Sequence, residues 1–344
     1  MGRANRQLAE YNGRLRHLPN SDLLISPLRL QEAVLSSRIE GTLATMSEVL
    51  QFEAGEPPDR ESRRRDIEEI LKYRHALDTA MEGLAKRPFN LNLLLQLHRI
   101  LLTSVRGYNK APGEFRRTQN YVGSIKGGVE HIRFTPPEWS TLAQSLTNWE
   151  NYYHADEEPL VRLALVHAQF EFLHPFLDGN GRLGRILIPV FLCEHGILSQ
   201  PTFYLSEYME ERRDEYVDHL NQLGRSKTGW RDWTEFFLNA VTEQARRNII
   251  KADAILSLYD SLKLRFVEAA GSRYAIPLLD SAFVRQYFQA SQLTWQGKAP
   301  SKPTLMKLLR DLEAAQLVRV YRDDAGRRPA IWWLPELTQL FEPS

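Results

Sequence analysis

The sequence predicts a mainly α protein: a helical bundle interrupted by one β-hairpin and followed by a small C-terminal module of helices and strands. Three observations carry this. From Ser26 to about Ala269 apolar residues recur mostly at spacings of three or four, the signature of amphipathic helices. The segment after Gly107 loses that period, and two short runs, Tyr121 to Ile125 and Val129 to Phe134, then flank Lys126-Gly127-Gly128, a hairpin signal. Beyond Gly271 the order becomes helix, helix, strand, turn, strand, which is the layout of a winged helix-turn-helix.

Taken in order, residues 1 to 25 are polar with scattered leucines and are expected to be an arm with little structure of its own. A helix follows from Ser26-Pro27, with Leu28, Leu30, Ala33, Val34 and Ser37 on one side and Gly41 as its stop. A short helix over Met46 to Phe52 leads into the breaker-rich loop 53–59. Ile67, Ile70, Leu71, Ala76 and Leu77 predict a helix over Arg63 to Leu84, and Asn90 caps the next one, carrying Leu91, Leu94, Leu97 and Leu101. Past the hairpin, Pro136-Pro137 closes the irregular stretch, and helices are expected over Glu138 to Tyr153 and Leu160 to Leu173. Ser206 is read as the cap of a helix running to Leu223, and Thr228 to Ala269 as one long helix or two abutting ones. The C-terminal module offers helices at Leu279 to Ala290 and Pro303 to Ala315, then strands at Val318 to Tyr321 and Ala330 to Trp333.

With 344 residues, 43% of them apolar, the chain has room for two or three domains with real cores. Lys and Arg number 44 against 43 Asp and Glu, so no global field favours nucleic acid or an anionic membrane. The single cysteine, Cys193, excludes an intrachain disulfide and fits a reducing cytoplasm, with the thiol an inert core group. No signal-peptide pattern opens the sequence, and no run approaches the roughly 18 apolar residues of a membrane span.

One stretch holds the chemistry: residues 174 to 185, His-Pro-Phe-Leu-Asp-Gly-Asn-Gly-Arg-Leu-Gly-Arg, between the apolar runs Leu160 to Leu173 and Leu183 to Leu192. A glycine loop enters a helix expected to begin near Arg182, and the first N–H groups of a helix lack internal acceptors and attract anions. Arg182 and Arg185, three apart, emerge on one side of that first turn and can reach phosphate oxygens. Asp178 puts a carboxylate beside the anion site, as Mg²⁺ bound to phosphates requires. His174 is neutral enough near pH 7 to accept a proton from an attacking hydroxyl. These parts describe nucleotidyl or phosphoryl transfer; there is no Walker lysine and no protein-kinase signature.

The same stretch resembles the motif of the Fic family, His-Pro-Phe-x-[Asp/Glu]-Gly-Asn-Gly-Arg-x-x-Arg, at every specified position. Ser36-Ser-Arg-Ile-Glu40-Gly41 is similar to that family's inhibitory motif, and Gly113 to Gly123 with the following hairpin is similar to its target-binding flap, so the resemblance covers about residues 20 to 250. It implies adenylylation of a tyrosine, threonine or serine hydroxyl on a target protein, and on the chain itself, from ATP with Mg²⁺; some members transfer other phosphate-containing groups. It also implies roles: His174 as base, Asp178 as the Mg²⁺ ligand, and Gly179, Asn180, Gly181, Arg182, Leu183, Gly184 and Arg185 around the phosphates, Arg185 taking the γ-phosphate. Val217 follows Tyr216 where relatives often carry two tyrosines near the adenine, a departure at the adenine contact. Gly123, Ser124, Ile125 and Lys126 would form the flap edge that adds the target as a strand.

The inhibitory segment has its own logic. Ser36 and Glu40 are four apart on one helix face, and a carboxylate at a helix C-terminus calls for a cation, for which Arg185 is the candidate. On this reading the chain divides into an arm and inhibitory helix (1–60), a catalytic core (61–250), a connecting helix (251–270) and a winged-helix module (271–344). In that module Lys302, Lys307, Arg310, Arg319, Arg322, Arg327 and Arg328 give a basic face, diluted by Asp311, Glu313, Asp323 and Asp324. Ser301 to Leu305 could enter a major groove with Arg327 and Arg328 on the wing, or the module could serve dimerisation or target recruitment. Two alternatives to the transferase stand beside it: a DNA-binding regulator whose core senses nucleotide, and an enzyme acting mainly in AMP removal. His98, His131, His167 and His195 have no ligand spacing and are read as structural.

Overall fold

The computed structural model describes residues 1–16, 22–103, 109–126, 129–326 and 328–341. In chain order its elements are α1 (Gly2–Arg16), α2 (Asp22–Ile39), α3 (Met46–Glu53), α4 (Glu61–Leu84), α5 (Leu91–Leu102), the hairpin β1 (Val122–Lys126) and β2 (Val129–Phe134), then α6 (Leu142–Tyr153), α7 (Pro159–Leu173) and α8 (Asn180–Glu194). There follow α9 (Ser206–Glu211), α10 (Arg213–Gln222), α11 (Gly229–Ala270), α12 (Ala275–Arg285), β3 (Tyr287–Phe288), α13 (Lys302–Ala314), β4 (Arg319–Arg322), β5 (Ile331–Trp333) and α14 (Pro335–Phe341). The protein is mainly helical, as the periodicity predicts, and none of these helices is long and apolar enough to cross a membrane.

The chain divides into two compact units, one of residues 1–17, 35–42 and 68–248, the other of 18–34, 43–67 and 249–344. In the first, α7 and α8 form the centre. Leu160, Leu163, Val166 and Phe170 of α7 and Leu183, Ile186, Leu187, Val190 and Phe191 of α8 are buried. Trp149 of α6 and Trp233 of α11 each send an indole N–H to an α7 carbonyl, Val166 at 2.9 Å and Ala164 at 2.8 Å. Buried indoles need such partners, and these two fix α6 and α11 against the helix that delivers the central motif.

Residues 2–16 are a helix and not the loose arm expected. Ala4, Leu8, Tyr11 and Leu15 lie at helical spacing and are buried, while Tyr11 donates to the Thr202 carbonyl at 2.9 Å and Asn12 accepts from Ser199 N at 3.0 Å. The intervening Arg, Asn and Glu residues hid a stripe that becomes visible once the partner loop 199–203 is in place. Pro27 falls inside α2 and not at its start.

In the second unit a three-stranded antiparallel sheet, ordered β3-β5-β4, lies with α12, α13 and α14. The helix expected over Leu279 to Ala290 runs instead from Ala275 to Arg285 and gives way to β3, because the aromatic pair Tyr287-Phe288 joins Trp332 and Trp333 in the sheet. Ser301 caps α13 by accepting from Thr304 N. Of the basic residues singled out here, Arg322 is drawn into an ion pair with Glu56 and Lys307 into one with Asp311 at 2.7 Å, while Lys302, Arg310, Arg319 and Arg328 are exposed; Arg327 lies outside the described residues.

Candidate active site

α7 ends where its carbonyls run out of helical donors, and His174, the capping residue, takes the left-handed conformation (φ 45°, ψ 59°) that few residues other than glycine adopt. Such a conformation has to be held by its surroundings. Arg116 does this: its buried guanidinium donates to the carbonyls of His174 (3.0 Å), Leu173 (3.4 Å), Thr118 (3.2 Å) and Pro137 (2.5 Å). Asn120 adds donations to Phe176 O at 2.9 Å and His174 O at 3.4 Å.

The His174 ring sits with Nδ1 3.3 Å from the Glu171 carbonyl. A carbonyl only accepts, so Nδ1 carries the hydrogen and Nε2 keeps its lone pair. Burial lowers the imidazole pKa to about 4, against the upward pull of the Glu171 carbonyl and the Glu40 charge, so the ring is neutral at pH 7.

The loop after His174 is shaped from behind by His98 of α5. Its ring stacks on Phe176 with centroids 3.7 Å apart, accepts from Gly113 N at 2.9 Å and contacts the Asp178 carbonyl at 3.1 Å. Gly179, at φ 78°, is the N-cap of α8, which starts at Asn180, two residues earlier than expected. Asn180 spends both ends of its amide on Phe176, accepting from its N–H at 2.9 Å and donating to its carbonyl at 2.8 Å. What Asn180, Gly181 and Arg182 offer to a ligand is therefore the row of N–H groups that a helix start leaves without internal acceptors.

Arg182 and Arg185 leave this first turn buried, and both find acids. Arg182 meets Glu69 of α4 at 3.3 Å and Asp178 at 3.4 Å. Arg185 donates from Nε to Ser36 Oγ (2.8 Å) and from one terminal nitrogen to Ser36 O (2.9 Å) and Glu40 Oε1 (2.6 Å). Glu40 is the first residue beyond α2, and Gly41 follows at φ 99°. Burial works against its ionised form, but Arg185, with Arg182 and His174 behind it, holds the Glu40 carboxyl below its ordinary value. Close approach is possible because residue 181 is glycine: a β-carbon there would collide with the Glu40 carboxylate.

Beside these groups a cavity of about 190 Å³ opens. Its polar wall includes Glu40, Glu171, His174, Arg185 and Asn221, and its apolar wall includes Val122, Phe134, Val217 and Leu220. Tyr216 and Val217 thus both lie on the wall, Tyr216 buried with its hydroxyl 3.0 Å from His167 Nε2. Ser206 does not cap a helix reaching Leu223: the chain kinks at Arg212 (φ −117°, ψ 38°), separating α9 from α10, so that Tyr216 and Val217 ride on a helix of their own.

The hairpin pairs antiparallel, Val122 with Phe134 and Gly123 through Lys126 with Ile132, His131, Glu130 and Val129, with an irregularity after Val122. Gly123, Ser124, Ile125 and Lys126 lie on β1 of this two-stranded sheet; the turn residues 127 and 128 are outside the described ones. Asp178 keeps 43% of its side chain exposed beside the helix start. Among the described residues no three His, Cys, Asp or Glu side chains are grouped to hold a metal ion. One accessible carboxylate next to an anion site fits Mg²⁺, which is commonly held by one or two carboxylates together with substrate phosphates.

Sequence reasoning missed Arg116, Glu69 and Glu171. The first two gave no local signal, since their partners are distant backbone carbonyls and a distant arginine. Glu171 did: it is a lone acid within the apolar end of α7, next to Phe170, Phe172 and Leu173. Cys193 is free, and burial pushes its thiol up to about 12.

Comparison with known proteins gives a consistent result. Residues 1–82 match the model of the Fic/DOC family N-terminal region and residues 88–192 that of the Fic/DOC family. The chain is 36% identical over 112 residues to the protein adenylyltransferase Fic of Drosophila virilis, covering 32% of this chain and 21% of that one. It is 38% identical over 104 residues to the Drosophila melanogaster protein of the same name, covering 30% and 20%. The chain thus matches about a fifth of the length of these relatives. In fold it is similar to a Fic family protein from Desulfovibrio desulfuricans, at TM-score 0.58 and 18% identity over 96% of this chain and 95% of that one. A Fic domain containing signaling protein from Bacteroides thetaiotaomicron is similar at TM-score 0.59 and 20% identity, over 73% and 96%.

Proposed function

The chain belongs to the Fic/DOC family, and from that premise we propose that it is a protein adenylyltransferase acting on a tyrosine, threonine or serine hydroxyl of a target protein, and on itself. The observation that carries this reading is the juxtaposition of a neutral His174, with Nε2 open, and the N-terminus of α8 across one cavity.

The target hydroxyl, aligned by the edge of β1, loses its proton to His174 Nε2 as its oxygen attacks the α-phosphorus of ATP. The bond to the β-phosphate breaks and pyrophosphate leaves. The N–H groups of Asn180, Gly181 and Arg182 face the phosphates, and the helix dipole favours the negative charge there. Arg185, freed from Glu40, receives the γ-phosphate. Mg²⁺ on Asp178 would neutralise charge on the departing phosphates. While Glu40 keeps Arg185 at 2.6 Å, that phosphate has no partner and the site is off.

The test is transfer from α-labelled ATP with Mg²⁺ into lysate protein. The Glu40→Gly protein is expected to label more strongly than wild type, and His174→Ala to lose about 10²–10⁴-fold. Label that persists in His174→Ala, or that comes from the γ-position, would overturn the reading. The pH profile follows from the lowered His174 pKa. A base works deprotonated, and removing Glu40 takes away one upward pull on the ring, so kcat/KM of Glu40→Gly should hold through the ordinary histidine range and lose its His174-dependent part only below about pH 4.

A further inference from the structure

Glu171 is a carboxyl of this cavity that the chemistry above leaves unused. It lies three residues before His174, and its Oε1 is buried with no hydrogen-bond partner. The room for it comes from Gly184, where a β-carbon would collide with that oxygen. A buried carboxylate without a partner is costly, and the ways out are a proton or a cation.

The groups around it are few. Arg185 faces it from α8, Glu40 from the end of α2 and Tyr216 from α10, while the exposed Arg213 of α10 also lines the cavity. On α7 itself His167 is engaged by Gly184 O and the Tyr216 hydroxyl, and His174 is neutral. The hairpin contributes the apolar Val122 and Phe134 to the cavity. Arg185 is the cation that bears on Glu171, and Glu40 already holds it at 2.6 Å. One guanidinium balances one negative charge, so of two carboxyls drawing on it in a buried site, the one without a hydrogen-bond partner favours its proton.

We propose that Glu171 is the interior rival of Glu40 for Arg185: it keeps a proton while Glu40 holds the guanidinium, and takes Arg185 as its own partner when Glu40 departs. Opening the site then breaks the Glu171 O–H bond and releases the proton to water through the cavity. Glu171 is thus a positioning residue, keeping Arg185 compensated until a phosphate arrives. Burial pushes its carboxyl up to about 7, with Arg185 lowering and Glu40 raising it. Since Glu40 raises the affinity of Glu171 for its proton, the closed state holds more protons, and rising pH through that range favours opening.

The idea rests on the reading of Glu40 as the lock, but its test needs no transfer reaction. In nucleotide-free protein, carboxyl ¹³C resonances give the titration midpoint of Glu171, assigned by its loss in Glu171→Gln. Glu40→Gly is expected to lower that midpoint by about one pH unit, a tenfold coupling; Glu40→Gln serves if the glycine variant does not fold. Reciprocally, amide exchange at residues 36–41, corrected for intrinsic rates, should report opening that increases up to about tenfold from pH 6 to 8 in wild type and stays flat in Glu171→Gln. An unchanged midpoint without the Glu40 carboxylate, or the same pH-dependent opening in Glu171→Gln, would overturn the proposal. Absence of adenylyl transfer alongside a shifted midpoint would count against the enzyme reading and leave this one standing.

Discussion

Arg182 and Arg185 stand one turn apart on α8 with side chains 7% and 2% exposed, yet the two sides of that turn are held in different ways. Arg182 is clasped from inside the bundle by Glu69 of α4, whose side chain is 10% exposed, and Asp178 is its partner at the rim. Arg185 depends on a chain segment at the end of α2, with Ser36 inside and Glu40 at the rim, 40% exposed. One side is framework; the other, on the proposed reading, is released. A buried cation can belong to a switch only if its counter-ion is reachable from solvent and something else bears on its charge once that ion has gone.

The largest consequence is for stability. Glu69→Ala removes the interior partner of a buried arginine, and breaking such a pair costs about 3–5 kcal/mol. Glu40→Gly should cost much less, because Ser36 still accepts from two nitrogens of Arg185. Urea denaturation of the two variants compares them directly. Equal losses would erase the distinction between framework and switch.

Ser36→Ala comes next. It leaves Arg185 Nε, in a fully buried place, without its hydroxyl acceptor, at a cost of about 1–3 kcal/mol. The Ser36 carbonyl and Glu40 remain, so the segment is loosened and not removed. Transfer activity is expected to fall between wild type and Glu40→Gly. If Ser36→Ala labels no better than wild type, the hydroxyl supports the helix end and takes no part in the lock.

The sequence carried the covalent neighbours of the site and little of its outer contacts. His174, Asp178 and both arginines share twelve residues, and the helical spacing around them places α7 and α8. Ser36 and Glu40 were legible because four residues make one helix turn and because Gly41 marks its end. Arg116 was not, since its acceptors are carbonyls at 118, 137, 173 and 174, brought together only by tertiary folding. Nor was α1, whose stripe of Ala4, Leu8, Tyr11 and Leu15 is diluted by polar residues and gains meaning only from Thr202 and Ser199. The kink at Arg212 has no proline or glycine to announce it.

The smallest stability effect is expected at Asp178, the rim partner of Arg182, and it separates function from framework. Asp178 is 43% exposed and Arg182 retains Glu69, so Asp178→Asn, which preserves the shape and much of the hydrogen bonding, should change stability by only about 0.5 kcal/mol. Transfer should nonetheless fall by about 10²-fold, the order expected when one group that stabilises developing charge is removed. Glu40 and Asp178 would then be matched in place and opposed in effect: two rim carboxylates, each facing a buried arginine, one whose loss raises activity and one whose loss lowers it. A denaturation midpoint in Asp178→Asn as low as in Glu69→Ala would instead make Asp178 part of the framework, and the exposed carboxylate could no longer be assigned to the nucleotide side of the site.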